Sequence, residues 1–230
     1  MLTFSIVAEG ITDQAVLETI INCICQGMVD DVFVNFEQPV RDATDQSRCG
    51  SQGGWEKVFE YCSIGERIQG ALEHNDFLVI HIDTDCAGHE NFDVALTTGG
   101  VDRAVAEIVK DVIACIAKHV GVLYEEFEDR IIFAIAVHST ECWLLPLHGK
   151  TVAGKKRIKS CEDHLRRELR RKSCAYAKDH RTYKIISDGY KRRKNLDAAC
   201  GHNESLMMFV AAVDEKIAAS GSEPLPASDC

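Results

Sequence analysis

The stretch Phe77-Leu-Val-Ile-His-Ile82, which leads directly into Asp83-Thr-Asp85, decides how this chain folds. Its residues are almost all apolar and several are β-branched, as is typical of a short strand buried on both faces of a sheet. The chain opens in the same way, because Leu2-Thr-Phe-Ser-Ile-Val-Ala8 leads into Glu9 and Gly10. The sequence therefore predicts two buried strands, each of which ends in acidic residues.

Segments of the same kind alternate with helix-like segments through residues 1–148. The pattern predicts strands over residues 2–8, 32–37, 77–82 and 131–137. It predicts helices over 13–27, with Thr12 as the N-cap, and over 54–74 and 101–120. A polar stretch over 38–53 is predicted to be a long loop. Nearly apolar strands separated by helices favour an α/β fold, in which helices cover both faces of a mostly parallel, Rossmann-like sheet.

Charge is distributed unevenly along the 230 residues, which carry a net charge of −10. Residues 149–203 contain 17 Lys and Arg against 6 Asp and Glu, so this part is basic although the whole chain is acidic. We therefore predict a catalytic domain over residues 1–148, a basic helical extension over 149–220 and a flexible tail over 221–230. A basic surface beside an acidic part is suited to a polyanion such as nucleic acid.

The basic extension contains two clusters of cations. One lies on a predicted amphipathic helix over residues 157–172, and the other is Lys191-Arg-Arg-Lys194. Asn203 is predicted to cap a last helix. The alternative to nucleic-acid binding is that these cations only solvate the outer faces of helices. The residues predicted to contact nucleic acid are Lys155, Lys156, Arg157, Arg166, Arg170, Arg171, Lys191, Arg192 and Arg193.

The 11 cysteines are odd in number and scattered, which favours free thiols in a reducing cytoplasm over a disulfide framework. A structural zinc site is the alternative, but paired Cys-x-x-Cys spacings are missing from the sequence. No stretch approaches the ~20 apolar residues of a membrane span. Glu9 also interrupts the apolar N-terminal segment that a secretion signal would need. The expectation is a cytoplasmic protein that does not contact membranes.

Acidic residues stand at or just beyond the ends of three predicted strands: Glu9 after the first, Asp83 and Asp85 after the third, and Glu141 beyond the fourth. The carboxyl ends of parallel strands meet at one edge of a sheet, so we expect these acids to share one site. Two carboxylates about 4 Å apart repel each other by ~4 kcal/mol at an effective dielectric constant of about 20. Such a site must take up protons or divalent cations, and oxygen ligands favour Mg²⁺ or Mn²⁺. The alternative for each acid taken alone is a helix cap or a solvated loop residue.

Three motifs resemble those of the TOPRIM fold. Ile6-Val-Ala-Glu9-Gly10-Ile-Thr-Asp13 is similar to its opening motif, a strand that ends in Glu-Gly before a helix. The acid at Asp13 resembles the version in OLD-family nucleases and in small stand-alone TOPRIM-like proteins, many of which occur in bacterial anti-phage defence. His81-Ile-Asp83-Thr-Asp85 resembles the Asp-x-Asp motif of the fold, and His138-Ser-Thr-Glu141-Cys-Trp-Leu-Leu145 resembles the Glu-x-Trp segment of the stand-alone group. The resemblance covers about residues 1–148.

This resemblance implies a nuclease that uses Mg²⁺ or Mn²⁺ to cut DNA or RNA. Glu9 would then be a metal ligand or general acid/base, Asp83 and Asp85 the main metal ligands, and Asp13 and Glu141 the support for a second metal. OLD-type nucleases also use a lysine from a segment after the core, for which Lys155 and Lys156 are the candidates. The resemblance further suggests an effector of phage defence that works with a partner ATPase or another defence protein, and it leaves the oligomeric state open.

Two other functions fit the same residues. A TOPRIM-like domain without activity could bind a partner protein or a nucleic acid. A phosphohydrolase could instead act on a nucleotide or another small phosphate and leave the basic extension unused. His81, which lies within an apolar strand, is interpreted as a core histidine, and Trp143 as part of the core packing.

Overall fold

The computed structural model describes residues 1–40 and 54–221, and the protein has an α/β fold. Four strands form a parallel sheet in the order second, first, third and sixth along the chain, and the fourth and fifth strands pair as a short antiparallel hairpin. The predicted parallel sheet is confirmed. Most of the loop predicted over 38–53, and the tail beyond Gly221, lie outside the described residues. The strands are β1 (Leu2–Val7), β2 (Val32–Gln38), β3 (Phe77–Asp83), β4 (Thr97–Thr98), β5 (Val101–Asp102) and β6 (Ile131–Ala136).

The helices of the described part alternate with the strands up to β6 and then follow one another. They are α1 (Ile11–Cys25), α2 (Trp55–Cys62), α3 (Gly65–His74), α4 (Val105–Val120), α5 (Leu123–Phe127), α6 (Thr140–His148), α7 (Val152–Lys155), α8 (Cys161–Arg171), α9 (His180–Ile186), α10 (Arg193–Cys200) and α11 (Glu204–Ala219).

The helices cover both faces of the sheet, as the nearly apolar strands predicted. On one face α2, α3 and α4 pack through side chains such as Ile68 and Val112. On the other face α1 packs together with α9, α10 and α11, through side chains such as Leu17, Leu196 and Phe209. This second core draws residues from both sides of position 148, because α11 packs on β6 and α9 packs on α1. The basic helices therefore belong to the layer that buries the sheet.

The start of α1 differs from the prediction in a way that matters for the site. Its N-cap is Gly10 in extended conformation, and Thr12 lies inside the first turn, so the prediction of Thr12 as the N-cap is wrong. The physical reason is that Gly10 is extended and its carbonyl oxygen accepts the first helical hydrogen bond, from the backbone N–H of Gln14, so that Asp13 falls in the first turn. Asp13 is thereby held at the end of β1.

Other predicted helices are interrupted or begin later than the sequence suggested. The helix predicted over 54–74 is interrupted between α2 and α3, and the helix predicted over 101–120 begins at Val105 because β5 pairs with β4. The helix predicted over 157–172 begins at Cys161, after Ser160 in the left-handed conformation. The predicted cap of the last helix is confirmed, because the side chain of Asn203 accepts a hydrogen bond from the backbone N–H of Leu206.

One pair of cysteines departs from the predicted free thiols. Cys142 on α6 and Cys161 at the start of α8 form a disulfide, because the packing of these two helices brings residues 19 positions apart into contact. The other cysteines of the described residues, such as the exposed Cys86, are free. Within the same residues, we find no helix that combines the length and the apolar character needed to cross a membrane.

Candidate metal centre at the carboxyl edge of the sheet

A cavity of about 670 Å³ lies at the carboxyl ends of β1 and β3, which are the two central strands of the sheet. The chain leaves β1 toward β2 on one side and returns to β3 on the other, so this is the point in a parallel sheet where ligands characteristically bind. Five carboxylates that the sequence singled out line the cavity together: Glu9, Asp13, Asp83, Asp85 and Glu141.

Glu9 joins the ends of the two central strands. Its Oε1 accepts a hydrogen bond of 2.8 Å from the backbone N–H of Asp83, and its carbonyl oxygen accepts one of 2.9 Å from Gly54. Burial raises the pKa of Glu9 to about 8, with a further increase from the negative charges of Asp13 and Asp85. Glu9 is therefore a partly buried acid whose pKa lies close to neutral pH while no cation is bound.

Asp83 is held by the first turn of α6. Its Oδ1 accepts hydrogen bonds from the backbone N–H of Thr140 at 2.9 Å and from the hydroxyl of the same residue at 3.1 Å. Burial raises the pKa of Asp83 well above its usual range, and the neighbouring carboxylates Asp13 and Glu9 raise it further. Two donors fix the direction of this side chain while its charge remains unfavourable, a combination that a bound cation would resolve.

Asp13 and Glu141 face each other from the first turns of two helices. Burial raises the pKa of Asp13 to about 7, and the charge of Glu141 contributes to the increase. Glu141 is buried as well, and its Oε1 accepts a hydrogen bond of 2.5 Å from the hydroxyl of Tyr183. Tyr183 belongs to α9, so a residue of the basic region positions a carboxylate of the N-terminal part.

His81 lies fully buried inside β3, as its apolar surroundings predicted, yet it also contacts the site. Its Nε2 is 2.9 Å from the hydroxyl of Thr140 and 3.5 Å from Oδ1 of Asp83. Its Nδ1 is buried without a hydrogen-bond partner among the described residues. Burial lowers the pKa of His81 to about 3, so the imidazole is neutral and able to act as a ligand.

These residues fit a divalent cation. Asp13, His81 and Asp83 can each offer one ligand atom, and the three atoms lie within 4.8 Å of one another. The carboxylates around them are hard oxygen ligands, which favour Mg²⁺ or Mn²⁺, whereas a single imidazole is also compatible with Mn²⁺. Several buried acids with raised pKa values repel one another less when a cation lies between them.

A lysine does reach the cavity, but it differs from the two that the sequence suggested. Lys178, from the loop between α8 and α9, lines the cavity and forms an ion pair of 2.8 Å with Glu162. Lys155 and Lys156, at the end of α7, are not among the residues that line it. No sequence motif marks Lys178, because only the packing of α8 and α9 brings it to the carboxylates.

Four of the nine predicted nucleic-acid contacts are ion-paired within the described residues, and the others are not. Arg171 binds Glu168 at 2.6 Å, and Lys191 binds Asp188 at the same distance. Arg193 binds both oxygens of Asp214. Arg157 donates to a backbone carbonyl, that of Lys159. Arg166 pairs with Glu162 and lies, together with Arg170 and Lys178, around a second cavity next to the first.

Comparison with known proteins adds no identification at this point. No protein-family model, curated protein or solved structure matches this chain. The functional assignment therefore rests on the geometry of the site and on the resemblance of its motifs.

Proposed function

We propose that this protein is a TOPRIM-type phosphodiesterase that uses Mg²⁺ or Mn²⁺ to cleave a nucleic-acid backbone. One observation carries the proposal: acids from β1, α1, β3 and α6 line a single cavity together with one lysine. Such a set would hold a cation through its carboxylates and a phosphate through the cation and the lysine.

The ligands follow from the distances and the burial. Asp13 and Asp83 would hold the metal, His81 lies within reach of the same position, and Glu9 and Glu141 flank it. A divalent cation bound there would act as a Lewis acid on a phosphate oxygen and would favour the attack of water at phosphorus.

The remaining steps belong to side chains of this chain. The ammonium group of Lys178 would bind a phosphate oxygen and stabilise the negative charge that grows on it. Glu9 is placed to accept or return a proton, because it lines the cavity and its pKa lies close to neutral pH. Thr140 would keep Asp83 in one orientation, and Tyr183 would do the same for Glu141.

The direct test is cleavage of fluorescently labelled DNA and RNA in the presence of Mg²⁺ or Mn²⁺. Asp83→Asn should reduce the rate by on the order of 10³-fold, equivalent to about 4 kcal/mol of transition-state stabilisation. Asp111→Asn is the matched control, because it removes the same charge from an exposed acid of α4 that pairs with Arg103. Equal rates for the Asp83 variant and the wild type would contradict the proposal.

Metal binding by calorimetry separates this function from the two alternatives. Loss of Mg²⁺ and Mn²⁺ affinity in Asp83→Asn is the expected result. Wild-type protein that binds neither cation but binds nucleic acid would point to an inactive binding module. Turnover of a nucleoside monophosphate without cleavage of any strand would point to a small-molecule phosphohydrolase.

A further inference from the structure

A second cavity of about 620 Å³ adjoins the metal centre. Its wall includes Arg166 and Arg170 of α8 and Tyr176 of the loop that follows. Glu162 and Lys178 line both cavities, so the two spaces share a boundary. We call this second space the arginine groove.

The arginine groove carries more positive than negative charge. Among its lining residues, Arg166, Arg170 and Lys178 are cations and Glu162 is the acid. Glu162 is shared, since it accepts from Arg166 at 2.7 Å and from Lys178 at 2.8 Å. Arg170 is exposed and ion-pairs with no acid within residues 1–40 and 54–221. The groove thus holds three cations and one carboxylate, which pairs with two of them and leaves Arg170 without an acid among the described residues.

The position of the groove relative to the carboxylates is held by one cation–π contact and two hydrogen bonds in sequence. The guanidinium of Arg166 lies 5.2 Å from the ring centre of Tyr176. The hydroxyl of Tyr176 is 2.9 Å from that of Tyr183, which in turn donates to Glu141. One wall of the groove is therefore connected to a carboxylate of the metal centre by side chains that touch in sequence.

An anion-binding space beside a metal centre has a specific consequence for the substrate. A phosphate monoester carries one phosphate, which the metal centre and Lys178 would bind. A polynucleotide carries a phosphate at every nucleotide, so a neighbouring phosphate would meet a second set of cations. Arginine is well suited to this role, because its planar guanidinium offers paired donors to phosphate oxygens.

We propose that the arginine groove binds the phosphate next to the scissile one, so that the substrate is a polynucleotide strand and not a small phosphate. This inference rests on the proposed function, because it takes the scissile phosphate to bind at the metal centre. Binding of a strand would replace the carboxylate of Glu162, which now holds Arg166 and Lys178, by a phosphate. Glu162 therefore acts as a competing anion that the strand must displace.

The experiment measures binding in EDTA, so that no metal-dependent cleavage takes place. Fluorescence anisotropy follows a labelled single-stranded DNA of about 12 nucleotides and the RNA of the same sequence. Arg170→Ala should weaken binding by about tenfold, and it should reduce the dependence of log affinity on log salt by about 0.7, the change for one lost contact to a single strand. Glu162→Gln should strengthen binding, because it removes the competing anion. The DNA and RNA arms show which strand is preferred.

Arg167→Ala is the matched control. It lies on the same helix three residues from Arg170, and its Nε donates to the backbone carbonyl of Asp163 instead of lining the groove. The result that overturns the proposal is an equal loss of affinity in the Arg167 and Arg170 variants, or no loss in either.

A separate assay tests the proposed function independently of strand binding. Hydrolysis of bis(p-nitrophenyl) phosphate, which has no neighbouring phosphate, reports on the metal centre in the wild type and in Asp83→Asn. Absence of this activity and of strand cleavage would contradict the nuclease, while the difference between Arg170→Ala and Arg167→Ala in EDTA would still decide whether the groove binds a strand.

Discussion

The acidic edge of the sheet and the basic region after residue 149 are the two charged parts of this protein. They differ in how far their charges are compensated by ion pairs. The carboxylates of the edge lie against one another, with Lys178 as the cation that lines their cavity. Several cations of the basic region are paired with acids, as Arg171 is with Glu168 and Arg193 with Asp214. A count of charges along the chain shows the asymmetry but not this difference.

This difference in charge compensation indicates where a ligand would bind. A buried group whose charge is left unbalanced costs free energy, which is characteristic of sites that bind a counter-charge. Charges that are paired on the surface contribute little to stability and offer little to a ligand. The acidic edge is unbalanced, and so is the adjoining arginine groove, whereas part of the remaining basic surface is neutralised by ion pairs such as Arg171 with Glu168.

Apart from loss of the metal ligand Asp83, the largest effect should come from removal of the cation at the acidic edge. Lys178→Met should lower the cleavage rate by about 10²–10³-fold, or roughly 2.7–4 kcal/mol, as expected for the loss of one group that stabilises transition-state charge. Single-turnover cleavage at saturating metal measures it. Lys155→Met and Lys156→Met test the assignment made from the sequence, and a larger loss in either of them would show that Lys178 is not the catalytic lysine.

The disulfide connects the acidic edge with the basic region, because Cys142 follows Glu141 and Cys161 precedes Glu162. Reduction should lower the free energy of unfolding by about 3 kcal/mol, the entropic contribution expected for a loop of this size. Denaturant unfolding with and without a reductant measures the difference, and the Cys142→Ser/Cys161→Ser double variant should be insensitive to the reductant. A wild type that shows the same insensitivity would contradict the bond.

The stability of the metal-free protein should depend on pH through the acidic edge. The pKa of Glu9 rises from 4.5 to about 8 on folding, and that of Asp13 from 3.8 to about 7. Groups whose pKa is raised bind protons more tightly in the folded state, so their contribution is present at low pH and is lost as the pH rises toward 8.

In EDTA, the melting temperature of the wild type should therefore fall between pH 5.5 and pH 8 by about 5 °C more than that of Glu9→Gln/Asp13→Asn. Differential scanning fluorimetry at the two pH values measures this. Added Mg²⁺ should remove most of the difference, because the cation takes the place of the protons. Parallel pH curves for the two proteins in EDTA would show that folding does not raise the pKa values of these two acids.

The smallest effect should come from a paired cation of the basic region. Arg193→Ala removes contacts to Asp197 and Asp214, but the arginine side chain is 43% exposed. The loss of stability should be no more than about 1 kcal/mol, and strand binding should be unchanged. Urea unfolding and anisotropy measure the two quantities. A loss of strand affinity as large as that of Arg170→Ala would mean that the paired cations are available to nucleic acid after all.

Much of the sheet could be predicted because the signal is local. Phe77–Asp83 and Ile131–Ala136 are strands in the structure, as their apolar runs indicated, and both neighbour the site. Helix starts were predicted less well, since they depend on the backbone conformation of single residues such as Gly10, which is extended and caps α1. Lys178 was missed because it lies in a loop without a motif, and the disulfide because its cysteines come from different helices.

The sequence by itself determined the parallel α/β sheet and the placement of Glu9, Asp83 and Asp85 at strand ends, because hydrophobic patterns and chain reversals act over a few residues. The tertiary structure alone decided the strand order β2-β1-β3-β6, which of the cations are paired, and the arrival of Lys178 and Tyr183 beside the carboxylates. Those outcomes depend on how helices far apart in the chain pack against one another, and long-range packing is not encoded in any short stretch of residues.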